Sequence, residues 1–122
     1  MPLAFLLDEH LRGVLWRALQ RHNAGGLELL DAIRVGDAPE LPLGILDPAI
    51  LLWAERERRI LISRDVSTLD GHLADHLHAG NHCPGIFMVR RRCVLPQVVS
   101  FLVEAAYRSD AANWENRIEN IP

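Results

Sequence analysis

A repeated change of period constrains this chain more than any other feature. Short, unbroken apolar runs alternate with longer segments whose apolar residues recur three and four apart. Leu3–Leu7 is the first run, suited to a buried parallel strand. Over His10–His22 the period changes. Leu11, Val14, Leu15, Ala18 and Leu19 share one helical face, and Arg12, Arg17 and Arg21 lie off it. Gly25-Gly26 ends that helix. Leu27–Val35 is a second strand candidate, and residues 36–44, rich in Gly, Pro and Asp, form a loop. Asp47-Pro48 opens a second helix, with Asp as N-cap and proline in the first turn, running to about Arg58. Ile60–Ser63 is a third strand, and Asp70–Gly80 a third helix stopped by Gly80. Pro84-Gly85 leads into a fourth strand, Ile86–Val89. Leu95–Tyr107 is then an amphipathic helix with Leu95, Val98, Val99, Leu102 and Ala106 inward. In the tail, Ser109–Pro122, Trp114 and Ile118 dock the chain, and a short last strand fits there.

Strands that alternate with helices need crossover connections, which make the sheet parallel and covered on both faces. The expected fold is a three-layer α/β domain spanning residues 1–122, with a central, mostly parallel sheet of four to five strands flanked by helices. With 122 residues, 49% of them apolar, the chain has enough material for one core. No apolar run reaches the roughly 18 residues of a membrane span. The apolar start, Met1–Leu7, runs straight into Asp8-Glu9 without a basic segment or a small-residue cleavage site, so it is not read as a signal peptide. Two cysteines, Cys83 and Cys93, are too few for a disulfide framework or a four-cysteine zinc site, and a reduced cytoplasmic setting is expected. All thirteen basic residues are arginine. The absence of lysine excludes Schiff-base chemistry, and it argues against a phospho-receiver domain, whose chemistry uses a lysine near the last strand. A net charge of −3 argues against an all-over basic coat. Any nucleic-acid contact is therefore local, with Arg90, Arg91 and Arg92 as the candidate patch.

In parallel α/β sheets, ligands collect beyond the carboxyl ends of the strands. Acids stand where that rule points. Asp8-Glu9 follows the first strand, and Asp65 follows the third in Ser63-Arg64-Asp65. Asp47 opens the helix that feeds the third strand. If the first and third strands are neighbours, Asp8 and Asp65 face each other. Two carboxylates about 5 Å apart repel by roughly 3 kcal/mol at an effective dielectric near 20. A hard divalent cation removes that cost, and Mg²⁺ favours one or two carboxylates with waters and phosphate oxygens. Such an ion can activate water and stabilise charge on a phosphodiester. Plainer roles stand beside this one: helix caps for Asp47 and Asp70, and a first-turn acid facing a helix dipole for Glu9.

Phe5-Leu6-Leu7-Asp8-Glu9-His10-Leu11, Leu46-Asp47-Pro48-Ala49-Ile50-Leu51 and Ile60-Leu61-Ile62-Ser63-Arg64-Asp65-Val66-Ser67-Thr68-Leu69 resemble the PIN-like family known as DUF5615. Cys83-Pro84-Gly85-Ile86-Phe87-Met88-Val89 and Asn113-Trp114-Glu115-Asn116-Arg117 resemble one branch of it. The resemblance implies a PIN-like Rossmannoid fold and an Mg²⁺- or Mn²⁺-dependent endoribonuclease. It also implies a toxin half of a toxin–antitoxin pair, with a small antitoxin carrying a DNA-binding-type domain; a homodimer is compatible with it. Carried over by position, Asp8 and Asp65 match the strand-end acids, Asp47 the acid opening the middle helix, and Glu9 the second residue of the Asp-Glu pair. The family often has Asn where this chain has His10. For the fourth acid common in PIN nucleases, Asp70 is the only nearby candidate, with Ser67 or Thr68 facing the pocket instead. Arg64 stands beside Asp65 to orient it or to take a phosphate. The alternative is a catalytically weak binding module acting through a protein partner.

Other signals read as structural. His72 and His76 have the i, i+4 spacing of a zinc pair, and His78 and His82 lie nearby. No Glu or Cys completes a recognised pattern except, loosely, Cys83, so this is expected to be a polar helix surface. Glu55–Arg59 reads as a solvated helix end. Cys93 reads as packing, and Trp16, Trp53 and Trp114 as core or partner contacts.

Overall fold

A computed structural model describes residues 2–64 and 68–122. The strands are β1 (Ala4–Leu7), β2 (Asp31–Arg34), β3 (Arg59–Ser63), β4 (Ile86–Val89) and β5 (Ile118–Ile121). The helices are α1 (Val14–Ala24), α2 (Asp47–Glu57), α3 (Leu69–His78) and α4 (Leu95–Arg108). The sheet order is β2-β1-β3-β4-β5, with every pairing parallel. The expected α/β architecture is therefore present, with five parallel strands and the helices paired α1 with α4 and α2 with α3.

The period of two along each strand divides the core. Phe5 and Leu7 are in register with Ile60 and Ile62, and Ile62 with Phe87. These residues pack with Leu15, Leu19, Val98 and Leu102 of α1 and α4. Leu6, Leu61, Ile86 and Met88 point the other way, onto Ile50, Leu51, Trp53, Leu69 and Leu73 of α2 and α3. Strands buried on both faces read as continuous apolar runs because each face has its own helical layer.

The local departures have physical causes. The first expected helix is split into a 3₁₀ turn, Glu9–Leu11, and α1, with Gly13 at the junction. The second strand is only the C-terminal part of Leu27–Val35. There the Asn23 side chain holds the backbone of Leu30, accepting from its N–H at 2.8 Å and donating to its carbonyl at 2.9 Å. Leu27 is 77% exposed, so its apolar character does not mark burial. Neither expected aspartate cap forms. Leu46 occupies the N-cap of α2 and Thr68 that of α3, which leaves Asp47 and Asp70 inside the first turns. There they complement the helix dipole without a capping bond.

The tail supplies β5, which extends the sheet beyond β4. Gly85 permits this junction. Its φ is +134°, and a Cβ there would lie 2.8 Å from the Trp114 carbonyl oxygen. Trp114 packs edge-on against Phe87 with ring centroids 5.0 Å apart. No helix among the described residues is long and apolar enough to cross a membrane.

Candidate functional site

The chain leaves β1 on one side to form β2, then crosses back to place β3 on the other side. The β1–β3 border is thus the topological switch point, where the crossovers diverge and open a crevice at the carboxyl ends of the strands. Asp8 and Ser63 stand there. Leu7 pairs with Ile62, so Asp8 and Ser63 are the next residues along each strand. The Asp8 N–H donates to the Ile62 carbonyl at 3.0 Å. The Ser63 hydroxyl, with no solvent exposure, donates to Asp8 Oδ2 at 2.7 Å. Bonds from neutral donors to a carboxylate are charge-assisted and fix its orientation.

The other Asp8 oxygen, Oδ1, accepts a long 3.5 Å bond from the His10 N–H, which makes Asp8 the N-cap of the 3₁₀ turn. Glu9 Oε1 accepts from the Gly44 N–H at 3.2 Å, tying that turn to the loop before α2. Asp47 Oδ2 accepts from the Thr68 hydroxyl at 3.4 Å and lies 3.9 Å from His72 Nε2. The acids thus come from the end of β1, the 3₁₀ turn and the start of α2. All three are half-buried.

Their partners distinguish them from a fourth acid at the same end of the sheet. Asp37 accepts from Arg34 Nε at 2.9 Å, the Arg34 N–H at 3.1 Å and Arg12 Nη2 at 3.4 Å. The Arg34 hydrogen bond holds the Asp37 carboxyl below its usual pKa, against a smaller opposing effect of desolvation. Arg34 also lies 4.3 Å from the Trp16 ring centre. Among the described residues, no arginine contacts Asp8, Glu9 or Asp47. Arg12 and Arg34 are committed to Asp37, whereas among the described residues no guanidinium pairs with the carboxylates of Asp8, Glu9 or Asp47.

Asp65 and Ser67 lie outside the described residues. Asp70 is exposed, and among the described residues no hydrogen bond or ion pair joins it to Asp8 or Asp47. The Thr68 hydroxyl reaches Asp47. Ser63 and His72 contact the candidate acids, and sequence reasoning missed both. Ser63 carried a signal, as the polar residue closing an apolar strand. His72 stood four residues after Thr68, on the same face of the helix.

Beside the acids, a cleft of about 610 Å³ opens over the ends of β3, β4 and β5, lined by His10, Arg64, Arg90, Arg91 and Asn120 with Met88 and Val89 as its apolar part. Arg92 is exposed and does not line it. The candidate basic patch thus gains Arg64 and loses Arg92.

The histidines divide. His76 is buried rather than on a polar surface. Its Nε2 donates to the His82 carbonyl at 2.7 Å and lies 2.9 Å from Glu55 Oε1. Glu55 is half-buried beside it, while Arg56, Glu57 and Arg58 are exposed as expected of a solvated helix end. Arg59, also assigned to that end, lies in β3, donating to the Phe5 carbonyl at 3.1 Å and pairing with Asp31 at 2.9 Å.

Among the described residues, no three His, Cys, Asp or Glu side chains converge closely enough to hold a metal ion. The donors at the switch point are carboxylate and hydroxyl oxygens. They match a hard ion that keeps several waters and takes one or two carboxylates, not the closed nitrogen and sulfur cage of structural zinc. No protein-family model matches the chain, and no curated protein or solved structure is significantly similar to it.

Proposed function

We propose that this protein is a PIN-like, Mg²⁺- or Mn²⁺-dependent endoribonuclease that cuts RNA at the β1–β3 switch point. The supporting observation is the placement of Asp8. Its carboxylate is oriented by the buried Ser63 hydroxyl across the strand border, and no guanidinium neutralises it among the described residues. Oriented anionic oxygens at a sheet crevice are suited to a hard cation. Asp8 and Asp47 would hold the ion, with Glu9 near it and Asp65 as the expected further ligand. Bound there, the ion supplies an activated water and neutralises charge gathering on the phosphodiester.

The chain's own residues do the rest. Ser63 fixes the Asp8 carboxylate, which lowers the reorganisation needed when substrate arrives. Glu9 anchors the loop before α2 through Gly44, and so sets where Asp47 enters. Thr68 and His72 hold Asp47 from α3. The expected setting is the reduced cytoplasm, in keeping with two free cysteines.

A second reading, a binding module acting through a protein partner, draws support from the leucines beside Asp47. Leu43 is 59% exposed and Leu46 75% exposed. The partner proposed for the nuclease, from the family resemblance, is a small antitoxin with a DNA-binding-type domain. The readings separate by experiment. Single-stranded RNA incubated with Mn²⁺ should be cleaved by the wild-type protein and not by Asp8→Asn or Asp65→Asn. Full activity in Asp65→Asn would remove that residue from the site. Millimolar Mn²⁺ should also raise the melting temperature of the wild type. No Mn²⁺ binding by calorimetry, together with a tight complex with a small partner protein, would favour the binding module.

A further inference from the structure

We infer that the cleft formed by Arg64, Arg90 and Arg91 is a docking site for the phosphate backbone of single-stranded RNA, separate from the acidic switch point. The inference takes RNA as the substrate from the proposed function, but the binding site does not require the chain to cleave it.

The cleft is built from chain segments far apart in sequence. Arg64 follows β3, Arg90 and Arg91 follow β4, Asn120 lies in β5, and His10 comes from the 3₁₀ turn after β1. No carboxylate is among its described lining residues. Three of its seven described lining residues are arginines, in a chain with sixteen acids, thirteen arginines and a net charge of −3. Elsewhere the arginines are often spent internally: Arg12 and Arg34 on Asp37, Arg59 on Asp31, Arg108 on Glu28 and Arg117 on Glu119. Arg64, Arg90 and Arg91 form no ion pair or side-chain hydrogen bond among the described residues, and all are exposed.

Guanidinium groups gathered on one concave surface repel each other, and a bound anion removes that repulsion. Their planar donor fork matches phosphate oxygens two at a time. A phosphodiester chain fits better than an isolated anion because the arginines are spread across the ends of two strands. Guanidinium forks take phosphate and carboxylate oxygens alike, so the choice of a phosphodiester chain over an acidic peptide comes from the RNA substrate proposed for the adjoining switch point. Exposed strand-end arginines reach a single-stranded backbone without having to enter a groove.

The test measures binding without cleavage. A short fluorescent 2′-O-methyl oligouridylate is titrated with protein in EDTA over a range of salt concentrations. Wild-type affinity should fall with salt, and the combined variant R64Q/R90Q/R91Q should bind at least tenfold more weakly at low salt. Three lost phosphate contacts should reduce the log–log salt slope by about 2, at about 0.7 per contact for single strands. Arg17→Gln/Arg21→Gln, which removes exposed charge from α1 outside the cleft, should leave the slope close to wild type. Unchanged affinity and slope in the triple variant, with its melting temperature intact, would overturn the site. So would poly-L-glutamate binding as tightly as the oligonucleotide with the same dependence on the three arginines, because the cleft would then be an acidic-peptide site. Asp8→Asn should retain binding. Loss of cleavage in Asp8→Asn with binding kept supports both readings, while arginine-dependent binding by a wild type that never cleaves RNA supports the cleft and sinks the nuclease.

Discussion

The two ends of the sheet use the same kinds of side chain in opposite ways. At the amino-terminal end of the strands, polar groups are consumed by the fold. His76 sits between the His82 carbonyl and Glu55, Arg59 joins β3 to β1 and β2, and the Asn116 side chain accepts from the Cys83 N–H at 2.7 Å. Burial there pushes the Cys83 thiol pKa up, since desolvation disfavours the thiolate. At the carboxyl end, Asp8, Glu9 and Asp47 are held by neutral or weak partners, and Arg64, Arg90 and Arg91 by none among the described residues. Residue type does not distinguish structural from available chemistry in this chain; the state of the partners does. A parallel sheet produces the contrast, because each strand's carboxyl end opens into a loop that diverges toward one helical layer or the other.

The sharpest way to break the contrast is Asp8→Asn. The substitution keeps a carbonyl oxygen to accept from Ser63 and removes the charge. Mn²⁺-dependent RNA cleavage should fall at least about 100-fold, given that metal activation contributes several kcal/mol, while the melting temperature should hold or rise. Undiminished cleavage would make Asp8 a helix cap and nothing more.

His76→Ala tests the opposite end. It opens a cavity and leaves the His82 carbonyl without its donor and Glu55 without its neighbouring imidazole. Urea unfolding should show a loss of about 3 kcal/mol, with RNA cleavage per folded molecule unchanged. A selective loss of cleavage would carry functional chemistry into a region assigned here to packing.

Ser63→Ala sharpens the positioning argument. Removing a hydrogen bond to a charged group costs about 1.5–3 kcal/mol, and part of that should appear in kcat as a fall of about tenfold with KM nearly constant. A lower melting temperature with kcat unaltered would confine Ser63 to structure.

The smallest effect concerns Asp37, the neutralised acid of the carboxyl end. Its folded-state pKa lies below the usual carboxylate value. Its stabilisation is therefore fully present above the unfolded value of about 3.9 and is lost as pH falls through the lower folded value. Being on the surface and screened, the pair contributes less than about 1 kcal/mol. Asp37→Asn should flatten the acid limb of stability below about pH 4 by that small amount, as read by thermal unfolding against pH.

What the sequence determined by itself was local. Apolar runs and helical periods marked nearly every element, because side-chain burial alternates by two in strands and recurs near 3.6 in helices. The acids after the first and third strands and at the start of the second helix were legible on the same grounds. Only tertiary structure decided which strand lies beside which, and so brought Ser63 to Asp8 across 55 residues of chain. It also turned His76 inward and gathered Arg64 with Arg90 and Arg91 while leaving Arg92 outside. These pairings depend on strand order and register. Both are set by how two separate apolar faces are covered at once, which no window of sequence contains.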